Sequence, residues 1–306
     1  MKTYSTEHIK NVFLIGNSGS GKTTLAESMA FNGGLIERRG DVNHKNTISD
    51  FKEIEQTNEN SIFSSLLYCE YKNNKINILD SPGLDDFVGG VVSSMHVADT
   101  GLMVLNAQNG VEVGAEIHNR YLARVNKPMI IVVNHLDHEK TNWEKTIETA
   151  KERFGNNVTL IQFPVDTGSG FSALVDVLTM KMYKFSGESS KYEISDIPAD
   201  LMDQATDLHN ELIEKAAEND EALMELFFAN DTLTEEEMRK GITLGLMNRG
   251  ILPVFCVSAK KNIGVTRLME FICNVAPSPA DMPPAKAGSK EIKCDKSGQL
   301  SMFVFK

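Results

Sequence analysis

Cysteine is scarce in this 306-residue chain, and the four present, Cys69, Cys256, Cys273 and Cys294, form no C-x-x-C pair and have no histidine at finger spacing. That argues against a disulfide framework and a cysteine-rich zinc module, and fits a reduced, cytoplasmic setting. Long apolar runs are missing too. Met1 to Lys10 is polar, and the first apolar run, Val12 to Ile15, is far shorter than a signal peptide core or a membrane span, so no membrane partner is expected. Basic residues are outnumbered, 31 Lys plus Arg against 42 Asp plus Glu, a net charge of -11. A chain that grips DNA or other nucleic acid by charge alone is thereby excluded. What is present, 41% hydrophobic and 24% charged residues, suffices for a core, and the length amounts to about two domains of roughly 150 residues.

Short apolar, β-branched runs recur at Val12 to Ile15, Ile76 to Leu79, Leu102 to Leu105, Met129 to Val133, Val158 to Phe163 and Leu252 to Val257, with helix-like stretches between them. Runs of this length bounded by turn residues predict buried strands, and the alternation predicts a mostly parallel α/β sheet with helices on both faces. Between Phe163 and Leu252 the pattern turns helical: Leu201, Ala205, Leu208, Leu212 and Ala216 share one face, and Thr234 with Glu237 makes a capping box that Leu233 and Met238 can staple. Four of the nine prolines fall between Pro277 and Pro284, which reads as an exposed linker. Leu300 to Phe305, alternating in character, predicts one more strand.

The strongest local signal is Gly16, Asn17, Ser18, Gly19, Ser20, Gly21, Lys22, Thr23, a G-x-x-x-x-G-K-[ST] loop between a predicted strand and a helix starting near Thr24. Glycines let successive N–H groups curl around an anion, Lys22 neutralises the outer phosphates, and the Thr23 hydroxyl suits Mg2+. Asp80, Ser81, Pro82, Gly83 ends another strand. There the Asp80 carboxylate can hold Mg2+ through water and the Gly83 N–H can reach a γ-phosphate. At a third strand end, Asn134, His135, Leu136, Asp137 offers a carboxylate for the N1 and N2 donors of guanine, a pair adenine lacks; an ATPase or nucleotide kinase survives only if Asp137 is not a base selector. Ser258, Ala259, Lys260 ends a fourth strand, where the N–H of Ala259 or its neighbour would meet guanine O6. Four loops at four strand ends predict one crevice.

With these motifs in this order, nearly the whole chain resembles the amino-terminal G domain of elongation factor G and related translational GTPases. Gly170 to Asp176 resembles the start of the inserted G′ subdomain of that family, and Pro253 to Pro283 its exit. The resemblance implies a P-loop NTPase G domain at 1–165, a helix-rich G′ insertion at 166–250, the last part of the G domain at 251–280, and at 281–306 a linker with the first strand of a truncated β-barrel. It also implies GTP or GDP with Mg2+ as cofactors and the ribosome, its RNA included, as partner of a monomeric elongation factor. Residues 17–24, Gly83, Asn134, His135, Asp137 and 258–260 would hold the nucleotide. Thr23, Ser61 and Asp80 would serve the metal.

Several positions depart from the family pattern, among them Gly19, which stands where many relatives of the family have an aspartate. Leu84 stands where the family has a water-positioning histidine, and an isobutyl group cannot orient a proton; such help is worth roughly 10² to 10⁴ in rate. His96 is no evident substitute, being about 18 Å further on if the path is helical. Hydrolysis is therefore expected to be slow or lost. The alternatives are a ribosome-binding, GTP-occupied module without GTPase activity and a ribosome-protection GTPase. In the first switch, Asn58, Glu59, Asn60, Ser61, Ile62 aligns with R-G-[IT]-[ST]-I, so Ser61 offers a hydroxyl while Glu59 replaces glycine; in the guanine loop, His135 replaces a lysine. Finally, residues 191–240 hold fifteen acids against four bases, which equals the net charge of the whole chain. The plain reading is a solvated helix face. The family resemblance implies a docking face for the basic end of a ribosomal stalk protein.

Overall fold

The computed structural model describes residues 2–187 and 190–306. In chain order the elements are β1 (Ile9–Ile15), α1 (Lys22–Asn32), α2 (Glu53–Asn58), β2 (Ser65–Tyr71), β3 (Asn74–Asp80), α3 (Val88–Val97), β4 (Thr100–Asn106), α4 (Val113–Arg124), β5 (Met129–Asn134) and α5 (Trp143–Phe154). There follow β6 (Val158–Leu160), β7 (Gln162–Pro164), β8 (Ala173–Asp176), β9 (Lys181–Phe185), β10 (Tyr192–Ser195), α6 (Ala199–Ala217), α7 (Glu221–Asn230), α8 (Glu235–Asn248), β11 (Leu252–Cys256), α9 (Val265–Asn274), β12 (Ala285–Ala287) and β13 (Lys290–Ile292). Seven strands form the central sheet in the order β2-β3-β1-β4-β5-β11-β6, parallel except for β2, which pairs antiparallel with β3.

Burial explains why the apolar runs become its inner strands. β5 and β11 are buried along their whole length and β4 at all but Asn106, because helices cover both faces and no polar alternation is needed. β2 exposes Leu66 and Tyr68 at the sheet edge, so its mixed sequence gave no continuous apolar run. The expected strand Val158 to Phe163 is divided. β6 pairs with β11, the chain crosses at Ile161, and β7 joins a second, antiparallel sheet in the order β10-β9-β8-β7. The insertion is thus a four-stranded sheet followed by three helices, and its first part is not helical as its pattern suggested.

The helical part follows the predicted periodicity. Ala205, Leu212 and Ala216 are buried with Leu201 and Leu208 half-buried against them, and the Thr234–Glu237 capping box forms over buried Leu233 and Met238. Residues 300–306 form no strand, since a strand exists only with a paired neighbour; the nearest pairing is the β12–β13 hairpin.

A buried ion cluster ties the second sheet to the first. Arg267 on α9 meets Asp176 of β8 at 2.9 Å, pairs with Glu270, and lies 4.2 Å from the Tyr183 ring centre. Glu270 also pairs with Lys72 of the β2–β3 turn and accepts from Tyr192 Oη at 3.2 Å. Removing Arg267 leaves the buried Asp176 with no ion-pair partner among the described residues, while Glu270 keeps only Lys72, whose side chain is more exposed. Arg267→Ala is therefore expected to cost about 3–5 kcal/mol, read as a lower urea midpoint; a loss under about 1 kcal/mol would show that the cluster is solvated.

Candidate functional site

The loop between β1 and α1 requires glycine at two positions. A Cβ on Gly16 (φ +133) would stand 2.2 Å from the Val104 carbonyl, and one on Gly21 (φ +90) 2.2 Å from Asn134 Nδ2. Gly19 takes φ +76 with open space around it. Lys22 Nζ donates to the carbonyls of Gly16 (2.9 Å) and Asn17 (2.8 Å). Burial lowers its pKa to about 8 against the opposing pull of Asp80, Asp50 and Glu112. A bound polyphosphate would add anions beside it and favour the charged form.

Beyond the loop, Thr23 Oγ1 donates to Asp80 Oδ2 at 2.8 Å and lies 3.2 Å from Ser61 Oγ. Asp80 Oδ1 is buried and has no partner among the described residues. Burial raises the Asp80 pKa to about 6, with the Thr23 hydrogen bond opposing. Hydroxyl and carboxylate oxygens with a spare, buried oxygen suit a hard divalent cation such as Mg2+. The three residues named for a metal thus come together, although Ser61 is 38 residues from Thr23. Glu59 makes that possible by taking the left-handed conformation (φ 51), which costs a non-glycine residue about 1–2 kcal/mol.

Asn134 fastens the loop after β5 to two others. Its Nδ2 donates to the Ser20 carbonyl at 2.9 Å and its Oδ1 accepts the Ala259 N–H at 2.9 Å, so three loops meet on one side chain. His135 (φ 64) leans on the phosphate loop, with Nε2 3.2 Å from where a Gly21 Cβ would be, and burial lowers its pKa with Asp137 opposing. Asp137 is half-buried at the lip, behind which Gly168 N–H bonds to the Leu136 carbonyl at 2.8 Å. In the last loop Ser258 N–H bonds to Ile263 O (3.0 Å) and Lys261 N–H to Ser258 Oγ (3.1 Å). Thr24 and Lys260 line an adjoining polar cleft of about 510 Å³ together with Ser28, Phe31, Arg38 and His44.

Two arrangements add detail to the sequence expectation. Gly83 also presents its carbonyl to the phosphate loop: Ser18 N–H donates to Gly83 O at 3.1 Å. The Ala259 N–H is already taken by Asn134. Leu84 is 39% exposed in extended conformation, starting the 3-10 turn Asp85–Phe87, and supplies no polar atom.

Sequence reasoning missed the supports of the first switch. Glu27 accepts the N–H groups of Gly40 (2.8 Å) and Ile48 (2.5 Å), Glu55 Oε1 those of Ile62 and Phe63 (both 3.0 Å), and Arg39 donates to the carbonyls of Ala259 and Lys260 (both 2.9 Å). A buried glutamate amid a helical apolar face, as at Glu27, was the one local hint.

A parallel sheet with an anion loop after its first strand and three further loops on the same edge defines a P-loop GTPase architecture. Residues 7–278 match the family described as Elongation factor Tu GTP binding domain, and the chain belongs to that family. It is similar to elongation factor G of Mycoplasma genitalium, 32% identical over 306 residues, covering 99% of this chain and 44% of that protein. Elongation factor G of Ureaplasma parvum serovar 3 is likewise 32% identical over 278 residues, covering 90% and 40%. A crystal structure from Thermus thermophilus superposes with a TM-score of 0.84 at 28% identity, over 91% of this chain and 42% of that one. The chain thus spans less than half the length of these relatives.

Proposed function

We propose that the cleft binds GTP and GDP with Mg2+ and that the chain is the nucleotide-binding part of a ribosomal translocation factor whose GTP hydrolysis is slow or lost. The convergence of four loops on Asn134 and Lys22 carries the first half of this reading. Residues 17–24 would cradle the phosphates, Asp137 would accept the guanine N1 and N2 donors, and the Lys260 N–H is the loop donor left for O6, since the Ala259 N–H is occupied. Thr23, Asp80 and Ser61 would hold Mg2+, which when bound neutralises phosphate charge. The chain belongs to the translational GTPases on family grounds; Leu84 carries the second half, in which the factor acts on the ribosome by occupancy.

Equilibrium titration of the chain with fluorescent GTP and GDP in Mg2+, in competition with ATP, tests the site. Micromolar affinity for both guanine nucleotides and none for ATP is expected. No affinity for GTP or GDP would overturn the reading. Ribosome-stimulated phosphate release by the full-length protein tests the chemistry, and a rate equal to that of histidine-bearing relatives would remove the second half.

The acidic insertion supports a protein partner. Glu214 and Glu218 are exposed and Glu211 half-exposed on α6, while Phe228 (75% exposed), Leu226 and Met202 add apolar surface nearby in the chain. Acidic and exposed apolar side chains on the same inserted segment fit a basic, amphipathic partner such as the end of a stalk protein. Changing Glu211, Glu214 and Glu218 to Lys is expected to weaken stalk-protein binding about tenfold at low salt, with less effect at high salt; unchanged affinity by calorimetry would leave the face merely solvated.

A further inference from the structure

The first switch closes on the phosphate loop through a side-chain hydrogen bond that spans 42 residues: Ser18 Oγ donates to Asn60 Oδ1 at 2.7 Å. Neither end is loose. Asn60 Nδ2 donates to the Asn58 carbonyl at 3.0 Å and its N–H to the Glu55 carbonyl at 3.3 Å, while the left-handed Glu59 turns the chain toward the loop. Just beyond, Ser61 reaches Thr23, and Glu55 holds the N–H groups of Ile62 and Phe63. From the opposite side Gly83 accepts the Ser18 N–H. Both switches therefore fasten on Ser18, one through its hydroxyl and one through its backbone.

We propose that Ser18 and Asn60 form a polar latch over the outer phosphate end of the cleft, and that its opening sets the rate at which bound nucleotide leaves. The proposal rests on the cleft being a guanine-nucleotide site. The chemistry is a neutral, hydroxyl-to-amide hydrogen bond, which shifts an open–closed balance by about fivefold. Its loss leaves no buried charge behind, because both groups reach solvent when the latch opens.

Stopped-flow release of a fluorescent GDP from the 306-residue chain, chased with excess GDP in Mg2+, measures the latch. Asn60→Ala and Ser18→Ala should each speed release about fivefold, and the double variant no more than either single, since one bond is lost in all three. Single variants within a factor of about two of the parent, or a double variant whose effect is the product of the singles, overturn the latch. Amide hydrogen exchange of residues 58–62 separates this from the wider reading. Ser18→Ala should speed exchange there if the latch exists, whether or not nucleotide binds. Unchanged exchange removes the latch even if GDP binds as proposed, and absent GDP binding with faster exchange removes the nucleotide reading and with it the release-rate role.

Discussion

Leu84→His is expected to raise ribosome-stimulated GTP hydrolysis by roughly 10² to 10⁴ in single-turnover phosphate release. The position follows Gly83, which stands on the phosphate loop, and Leu84 is 39% exposed with extended backbone, so an imidazole fits without displacing core. A histidine there supplies a ring nitrogen that orients a water, which leucine cannot. Asp85 and Asp86 do not replace it: a carboxylate beside a γ-phosphate meets like charge. His96 lies at the far end of α3 among Tyr121, Arg124 and Lys127, away from the loops. An unchanged rate in the variant would place the block elsewhere.

Asp137→Asn should weaken GTP binding by roughly 10² to 10⁴, the loss expected when two hydrogen bonds to a charged acceptor are removed. The same change should create affinity for xanthosine triphosphate, since an amide can accept from N1–H and donate to the O2 that replaces the guanine amino group. Competition binding in Mg2+ with both nucleotides reads the exchange directly. Retained GTP affinity would mean that the carboxylate faces solvent and that base choice lies with the 258–260 loop. The variant is not expected to unfold the chain, because Asp137 is only half-buried at the lip, whereas Asn134 beside it ties three loops and is a poor choice for the same test.

The legible parts of this protein share a physical origin. Gly16, Gly21, Lys22 and Thr23 are close in sequence because an anion cradle is a local object, one turn feeding one helix. Inner strands such as β5 and β11 were legible because burial on both faces demands continuous apolar residues. β2 and most of the second sheet were not, since β2 at the sheet edge mixes exposed and buried residues, and β8, although apolar and buried, is only four residues long. The insertion's helices announced themselves through period and capping, while its strands stayed silent.

By itself the sequence determined the order of the loops, the glycine-rich turn with Lys22, the carboxylate at position 137, leucine at position 84 and the acidic stretch at 191–240. Each of these depends on residue identity within a few positions. Only the tertiary structure decided that Gly83 turns its carbonyl to Ser18, that Asn134 takes the Ala259 N–H and leaves that of Lys260, that Ser61 reaches Thr23, and that Arg267 and Asn60 bridge distant segments. Such pairings join residues from tens to more than a hundred positions apart, and a hydrogen bond or ion pair forms only where the folded backbone brings donor and acceptor within about 3 Å.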